Sequence, residues 1–403
     1  MLKILLNAGT SPNLGYAYGI FLMLTTIISV KIALTRRQSA GVRSLHTSVA
    51  SQRLHAEDLS SNSKNYIFKS LKNKCLLSKG INLNVMSKMF YSYLSTPSNN
   101  SKNTLPPYYV TGISDGESSF HVSILKNKNY RSGFQIQAKY TIQLHSKDLE
   151  LLTKLQSFFG GVGSIIIKKE AKSAIFSIQS LKDISNVIIP HFDKYPLLTK
   201  KRADYFLFKM VVNLMVEGSH LSPQGIDNIL SIKASMNKGL SPELCQLYPH
   251  IKPVKRPAFE CHSMTVNWEW LCGFIEAEGS FFCLIRPNLT HLIKYQVTLS
   301  FVLTQDTRDL DLMLRIKEYL GFGIVSSAAT RSITQLTVTK RGDLDILISL
   351  FQEKGGLFGC KSLDLKDFIK IQEIVKSNAH KTEEGLQDIK LIKRNMNLRR
   401  IHE

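Results

Sequence analysis

Residues 268–283 read WEWLCGFIEAEGSFFC, and the apolar residues of this stretch change their period partway along it. In the first half they recur at helical spacing, whereas Phe281, Cys283 and Ile285 alternate with their neighbours as in a strand. The pattern predicts a helix that passes directly into a strand. Small residues on the helix, Gly273 among them, leave room for a second helix to pack closely.

Two carboxylates, Glu276 and Glu278, stand in the last turn of the predicted helix. The helix dipole favours a cation at that end, so acids there indicate that something positively charged binds nearby. A metal ion is the obvious candidate. Gly279 follows at once and is suited to the positive φ at which many helices end.

The same arrangement occurs earlier in the chain, where residues 108–122 read YYVTGISDGESSFHV. Aligning Gly112 with Gly273 places Glu117 on Glu278. Further matching segments follow at a nearly constant offset of 160 or 161 residues. The chain therefore contains an internal duplication.

Each copy reads helix–strand–strand–helix–strand–strand–helix–helix. Antiparallel hairpins with helices on one face predict an α+β fold. We expect two similar domains, 107–238 and 268–403, each with a sheet covered by helices. A connection rich in proline and polar residues, 239–267, joins them.

Residues 1–106 form a leader of different composition, because Glu57 and Asp58 are its only acids. Within it, residues 14–30 make an uncharged apolar run of 17 residues, at the lower limit of roughly 17–25 for a membrane span. Three interpretations stay open: a short transmembrane helix, the core of a secretory signal, or a fragment of a membrane protein fused upstream. The Arg- and Ser-rich stretch behind it is typical of mitochondrial transit segments. We expect weak order, no catalytic role, and membrane contact only through 14–30.

The chain is strongly basic. Lys and Arg number 52 against 31 Asp and Glu, which gives a net charge of +21 and a pI near 9.6. Such a balance points to a polyanionic partner, nucleic acid first and an anionic membrane second. The six cysteines lack the paired spacing of a zinc site or a disulfide framework, so we predict neither.

The sheet face turned away from the helices is predicted to be mostly polar, with Phe282 and Leu284 as apolar members in the second copy. Gln, Arg, Lys, Ser and Thr bond base edges, and a sheet can lie in the major groove. We predict a DNA-binding surface here; the alternative is an ordinary solvated sheet face. The candidate DNA-binding residues are His121, Ser123, Gln135, Gln137 and Lys139 in the first copy and Arg286, Gln296, Thr298, Gln335 and Thr337 in the second.

The nonapeptides VTGISDGES (Val110–Ser118) and LCGFIEAEG (Leu271–Gly279) resemble the motif of LAGLIDADG homing endonucleases in their two-motif, single-chain form. The companion segments LHSKDLELL, TQDTRDLDLM, PLLTKK and HKTEEGLQDIKLIKRNMN also look like those of this family. The resemblance covers about residues 107–400. It implies two pseudo-symmetric domains, each a saddle-shaped antiparallel sheet covered by helices, with the motif helices packed at the interface.

By this resemblance, Gly112 and Gly273 lie where the two motif helices touch, and Glu117 and Glu278 meet at the DNA surface. Two like charges that close repel each other, and divalent cations relieve the repulsion. The resemblance therefore implies that both glutamates are catalytic ligands of Mg²⁺ or another divalent cation.

The resemblance also implies supporting residues. Lys201 and Lys361 would stabilise charge near the scissile phosphates or make ordinary phosphate contacts, and Gln305 resembles a glutamine that orders catalytic water. Asp115 and Glu276 are expected to cap or buttress helix ends rather than to bind metal.

Two departures from symmetry bear on the site. Leu144 stands where the second copy has Gln305, so the half-sites are expected to be unequal. Ser118 replaces the final glycine of the motif, which predicts a strained helix exit and affects the placement of Glu117.

The predicted function is site-specific double-strand DNA cleavage by a monomeric homing endonuclease. It would hydrolyse phosphodiester bonds with Mg²⁺ at a long asymmetric target and promote intron mobility in a mitochondrion. The alternative is an RNA maturase of the same fold that binds its own intron RNA, alone or beside cleavage. A non-catalytic DNA-binding protein should have lost one acid, and a membrane protein is supported by residues 16–30 alone.

Overall fold

The computed structural model of the chain describes residues 104–130, 133–258, 265–328 and 332–397. All but the last three residues of the predicted leader lie outside these ranges, including the apolar run 14–30. Within the described ranges, no helix combines the length and the apolar character that a membrane span requires.

The first copy folds as one sheet with helices on one face. Its elements are α1 (Pro107–Glu117), β1 (Ser118–Lys126), β2 (Phe134–His145), α2 (Leu149–Phe158), β3 (Ser164–Lys168), β4 (Ser173–Ile178), α3 (Leu181–Asp183), α4 (Ile189–Lys194), α5 (Lys201–Val216) and α6 (Pro223–Ala234). A short helix, α7 (Pro242–Leu247), follows in the connection.

The second copy repeats this order. Its elements are α8 (Trp268–Glu278), β5 (Gly279–Pro287), β6 (Tyr295–Asp306), α9 (Leu310–Leu320), β7 (Ile324–Ala328), β8 (Ile333–Val338), α10 (Arg341–Lys354), α11 (Lys361–Lys376) and α12 (Glu383–Arg394).

The two sheets have the same topology. The strand orders are β1-β2-β4-β3 and β5-β6-β8-β7, with antiparallel neighbours throughout. On the helix side, Phe120 lies opposite Tyr140 in one sheet and Phe281 opposite Phe301 in the other, and all four are buried. Burial of each large apolar side chain stabilises the fold by about 1.5–3 kcal/mol. The predicted α+β class, with helices covering two antiparallel sheets, is confirmed.

Each copy contains one helical segment that the sequence analysis missed. In the first copy this segment consists of α3, a π-turn over Ile184–Ile188 and α4, which follow one another without a break. In the second copy α10 occupies the same place. Ile184, Ile188 and Phe192 are buried at helical spacing, so the sequence carries a signal. Pro190, near the start of α4, interrupts the helical signal in the sequence.

The motif helices α1 and α8 pack backbone to backbone. A Cβ atom on Gly112 would clash with the carbonyl oxygen of Trp270, and one on Gly273 would clash with that of Tyr109. The small residues therefore let the two helices approach more closely than other side chains permit. This contact sets the C-terminal ends of both helices next to each other.

The exit from each motif helix uses ordinary extended backbone. Ser118 has φ −86° and ψ 160°, and Gly279 has φ −81° and ψ 155°. The predictions of positive φ at Gly279 and of strain at Ser118 are wrong, because any residue adopts these angles. The glycine is required for space instead, since a Cβ there would lie 2.7 Å from Ile275 Cγ2. In the first copy Ser114 replaces that isoleucine, and Ser118 Oγ donates to its carbonyl oxygen at 2.6 Å.

The described residues 239–258 of the connection contain a helix and contacts to the first copy. Leu244 of α7 lies in a small hydrophobic cluster on the first copy. Further on, Arg256 donates from Nη1 and Nη2 to the two carboxylate oxygens of Asp204 at 3.0 and 2.7 Å. Such a bidentate pair fixes both geometry and charge, so this part of the connection is tied to α5.

A buried histidine predicts acid sensitivity of the fold. His191 packs among aromatic rings, with its Nε2 3.2 Å from Thr111 Oγ1, and burial lowers its pKa to about 3. In the unfolded chain it titrates near the usual 6.5, so its contribution to stability is complete above that pH and is lost as pH falls toward 3. Between pH 6.5 and 4.5 the loss should reach about 2–3 kcal/mol in the free energy of unfolding.

Urea unfolding of the wild type and of His191→Phe across this pH range measures the effect. The variant keeps an aromatic ring and cannot be protonated, so its stability should fall less with acidification. His291→Gln, at an exposed histidine, is the matched control and should follow the wild type. Parallel pH profiles for the wild type and His191→Phe would contradict the assignment.

Candidate functional site

The acids Glu117 and Glu278 occupy the last positions of α1 and α8. A Cβ on Gly116 would clash with the Cβ of Ala277 and lie 3.3 Å from Glu278 Cγ, so the two helix ends are in contact. Part of the Glu117 side chain is exposed at this opening while protein atoms surround the rest, and Glu278 is half-buried. The structure thus brings together one carboxylate from each copy at one opening of the interface.

Both of these carboxylates are destabilised by their surroundings. Loss of hydrating water raises the pKa of Glu117, and repulsion from Glu278 raises it further, while Lys201 and Lys361 act in the opposite direction. Desolvation likewise raises the pKa of Glu278 against the pull of the same two lysines. At both carboxylates the loss of hydrating water therefore outweighs the attraction of the two lysines.

The acids two positions earlier have a different role. Asp115 is buried and accepts from the N–H groups of Leu198 and Thr199 at 2.9 and 3.1 Å, and from Trp270 Nε1 across the interface at 2.8 Å. Burial raises its pKa and these hydrogen bonds lower it in part. Its oxygens are thus occupied by protein donors.

Glu276 repeats this arrangement in the second copy. Its Oε2 accepts from the N–H groups of Phe358 and Gly359 at 3.0 and 3.1 Å and from Tyr109 OH at 2.9 Å. Asp115 and Glu276 therefore anchor the loop that leads into α5 or α11, and each receives an aromatic donor from the other copy.

The two predicted lysines lie against the ends of the motif helices. Lys201 Nζ donates to the carbonyl oxygens of Ser114 and Gly116 at 3.0 and 2.9 Å. Lys361 Nζ donates to those of Ile275 and Ala277 at 3.1 and 3.4 Å. Each ammonium group satisfies the helix dipole where the sequence offered only acids.

Burial affects both lysines. It lowers the pKa of Lys201 to about 8, although Asp115, Glu117 and Glu278 act in the opposite direction, and it also lowers the pKa of Lys361. Both ammonium groups thus face the carboxylate pair while being held by backbone carbonyls. They are positioned for charge stabilisation within the site.

Sequence reasoning missed two further acids, Asp148 and Asp309, one at the start of each helix after the second strand. Asp148 Oδ1 accepts from Cys360 N–H and Asp309 Oδ1 from Lys200 N–H, both at 2.7 Å. Each bond crosses between the copies and holds the loop before a site lysine. Their matched positions in LHSKDLELL and TQDTRDLDLM were the available signal.

Gln305 lies near the end of β6, partly buried, and its Oε1 accepts from Asp306 N–H at 2.9 Å. The equivalent Leu144 near the end of β2 is also partly buried and packs against the core. The two copies therefore differ in polarity at this equivalent position.

A cavity of about 560 Å³ opens beside the exit of α1. Its lining contains one acid, Asp204, which pairs with Arg256, and the cationic side chains Lys200, Lys201, Lys238, Arg256 and Arg308. A concave surface with this charge suits phosphate groups.

The predicted DNA-binding residues share the sheet faces away from the helices. His121 lies opposite Lys139 and Ser123 opposite Gln137, while Gln135 follows two residues along the same strand. In the second copy the face is formed by Arg286 opposite Gln296, by Thr298, and by Gln335 and Thr337 of β8. All ten of these residues are exposed or partly exposed.

The carboxylate pair is a suitable divalent-cation site. The described residues contain no group of three or more His, Cys, Asp or Glu side chains arranged to hold a metal by themselves. Mg²⁺ does not require one, because it is commonly held by one or two carboxylates together with water and substrate phosphates. The raised pKa of Glu117 and Glu278 fits this role, since a bound cation would offset their charge.

Comparison with known proteins agrees with the duplicated architecture. The family profile described as LAGLIDADG endonuclease matches residues 110–212 and 271–372. The probable intron-encoded endonucleases 3 and 2 of Neurospora crassa are 35% and 34% identical over 76% and 71% of this chain. The chain spans 57% and 64% of their lengths. An uncharacterized mitochondrial protein of Saccharomyces cerevisiae, RF1, is 23% identical over 82% of this chain and 69% of its own length.

Solved structures match the two domains together. The I-SmaMI LAGLIDADG homing endonuclease bound to cleaved DNA is 36% identical, with a TM-score of 0.72, over 74% of this chain and 99% of that one. I-SmaMI bound to uncleaved target DNA in the presence of calcium ions gives 36% identity and a TM-score of 0.69 over 73% and 99%. These neighbours share the fold and are bound to DNA.

Proposed function

This chain belongs to the LAGLIDADG endonuclease family, and from that premise we propose that it is a site-specific homing endonuclease that hydrolyses both strands of a long, asymmetric DNA target. The observation that carries this proposal is the meeting of Glu117 and Glu278, one from each copy, at the end of the packed motif helices. Two carboxylates contributed by two halves suit two cuts on two antiparallel strands.

The residues have distinct roles in this proposal. Glu117 and Glu278 would hold Mg²⁺ or another divalent cation at the scissile phosphates. When bound, such cations lower the pKa of water and stabilise negative charge on the phosphate. Lys201 and Lys361 add positive charge at the same opening, in a geometry fixed before DNA arrives. Gln305 would orient a water in the second half-site alone, which makes the two cuts unequal.

The DNA would lie across the polar faces of both sheets. The basic cavity beside α1 and the net charge of +21 support a phosphate-binding path. The motif helix of each copy covers the glycine, Gly112 or Gly273, on the motif helix of the other. The proposed active form is therefore a monomer that contains both copies. Relatives named for introns and for the mitochondrion support action in that organelle, where cleavage of an intron-free allele would promote intron mobility.

Incubating the protein with intron-free and intron-containing alleles of the host gene tests the proposal. With Mg²⁺ we expect one discrete double-strand cut in the intron-free allele, and with EDTA no cut. The intron-containing allele, whose target is interrupted, should stay intact. Tight binding of the intron RNA without any DNA cleavage would favour the maturase instead.

Binding should weaken steeply with salt. A protein that contacts about 6–10 phosphates loses about 10³–10⁵ in affinity between 50 and 200 mM salt, because each contact releases counterions. Fluorescence anisotropy with a labelled target in EDTA measures this slope without cleavage. An affinity that does not change with salt would contradict the proposal that DNA contacts the sheet faces and the basic cavity.

A further inference from the structure

The second sheet presents two large apolar side chains on its outward face. Phe282 and Leu284 of β5 are 45% and 37% exposed. They lie opposite Ser300 and Thr298 of β6, beside the pair Arg286 and Gln296. The residues of the same strand that point inward, including Phe281, are buried in the core. The exposure of Phe282 and Leu284 therefore does not result from a shifted strand register.

The first copy has polar residues at the matching positions. His121 and Ser123 of β1 replace the two apolar side chains, and they lie opposite Lys139 and Gln137. The two halves therefore share one backbone and one register but present different chemistry to whatever covers the sheets. If the fold itself required apolar side chains at these two positions, both copies would carry them.

The chemistry of the major groove identifies an apolar partner. Base edges there offer hydrogen-bond donors and acceptors, with one apolar exception, the C5 methyl group of thymine. An exposed Phe or Leu discriminates poorly among polar edges but gains from burying that methyl. Arg286 and Gln296, next along the same pair of strands, suit the polar edges of neighbouring base pairs.

We propose that Phe282 and Leu284 are specificity-determining residues that contact thymine methyl groups in the half of the target covered by the second copy. This inference rests on the proposed function. The first copy, with His121, Ser123, Gln137 and Lys139, reads hydrogen-bonding edges at the corresponding steps and is indifferent to methyl groups there.

The strand geometry sets the spacing of the thymines. Residues two apart on one face of a strand are separated by about 6.6 Å along it. Successive base pairs rise about 3.4 Å, so the two side chains meet bases about two steps apart. Phe282 is four residues from Glu278, which places its base pair nearer the cut than that of Leu284.

Target selection from a randomised duplex pool, in EDTA, tests the proposal with the wild type and with F282H/L284S. This variant installs the side chains that the first copy carries at the same register, so the strand should be retained. We expect the wild type to select thymines at two positions about two steps apart in one half-site. The variant should lose that preference and keep the rest of the consensus.

Uracil, which lacks only the methyl group, then isolates the contact. Replacing one selected thymine by deoxyuridine should weaken wild-type binding about fourfold, and replacing both should weaken it about tenfold or more. F282H/L284S should bind both duplexes equally, and uracil in the other half-site should have no effect on either protein. Equal wild-type affinity for thymine and uracil duplexes, or an equal loss in the variant, would overturn the proposal while leaving the nuclease assignment intact. Failure to enrich any sequence would overturn both.

Discussion

Replacing Glu117 by glutamine is expected to lower double-strand cleavage by at least about 10²-fold, with DNA affinity in EDTA unchanged. Glutamine keeps the shape of the side chain and removes the charge that would hold a cation. If the two centres act independently, a duplex cut in one strand should accumulate. If they share cations, both cuts should fail.

Duplexes labelled on each strand distinguish these outcomes, and Glu278→Gln should give the complementary strand pattern. Glu384→Gln, at an exposed acid of α12, is the control and should cleave normally. Undiminished double-strand cleavage by Glu117→Gln would remove that residue from the site.

The same substitution should make the free protein more stable. Surrounding protein and Glu278 raise the pKa of Glu117, so its ionised form is less favourable in the folded chain than in the unfolded one. A raised pKa means that wild-type stability falls as pH rises through the titration of this group. The thermal midpoint of Glu117→Gln should therefore exceed that of the wild type near pH 7, and the difference should shrink in acid. A variant that had merely misfolded would show the opposite sign.

Replacing Gly112 by alanine is expected to have the largest effect on stability. Its Cβ would meet the carbonyl oxygen and carbon of Trp270 and lie 2.8 Å from Phe274 N, all backbone atoms that cannot rotate away. Separating the helices would open the interface that carries Asp115–Trp270 and Tyr109–Glu276. We expect a loss of at least about 3 kcal/mol in the free energy of unfolding, or failure to fold.

Gly342→Ala is the matched control. It lies in α10 with no atom near the place of its Cβ, and alanine favours helix, so its stability should stay within about 1 kcal/mol of the wild type. Denaturant unfolding of both variants measures the difference. Equal stability for the two would contradict a close helix contact at Gly112.

The sequence was informative where side-chain type alone determines position. Apolar alternation predicted the inward face of β5, and the repeat offset paired Lys201 with Lys361. The sequence was uninformative where the determinant is a contact between distant segments. That Asp309 binds the backbone of Lys200, or that Trp270 donates to Asp115, follows from how the two copies pack.

Rules based on neighbouring residues in the sequence were also misleading at the ends of the motif helices. Gly279 is conventionally interpreted as a left-handed helix end, but its backbone is extended and the neighbouring Ile275 is what excludes a larger residue. The acids at the helix ends predicted a cation, and the structure supplies Lys201 and Lys361 there. The pKa of Glu117 and of Glu278 is nevertheless raised, because desolvation outweighs the attraction of these lysines.

Anomalous scattering from Mn²⁺ in crystals of the protein with its target DNA tests the central claim most directly, because Mn²⁺ accepts the same oxygen ligands as Mg²⁺. We predict anomalous peaks between the carboxylates of Glu117 and Glu278, bounded by scissile phosphates of both strands, and their loss in the double variant E117Q/E278Q. Peaks located elsewhere, or unchanged in that variant, would contradict a shared site built from one acid of each copy.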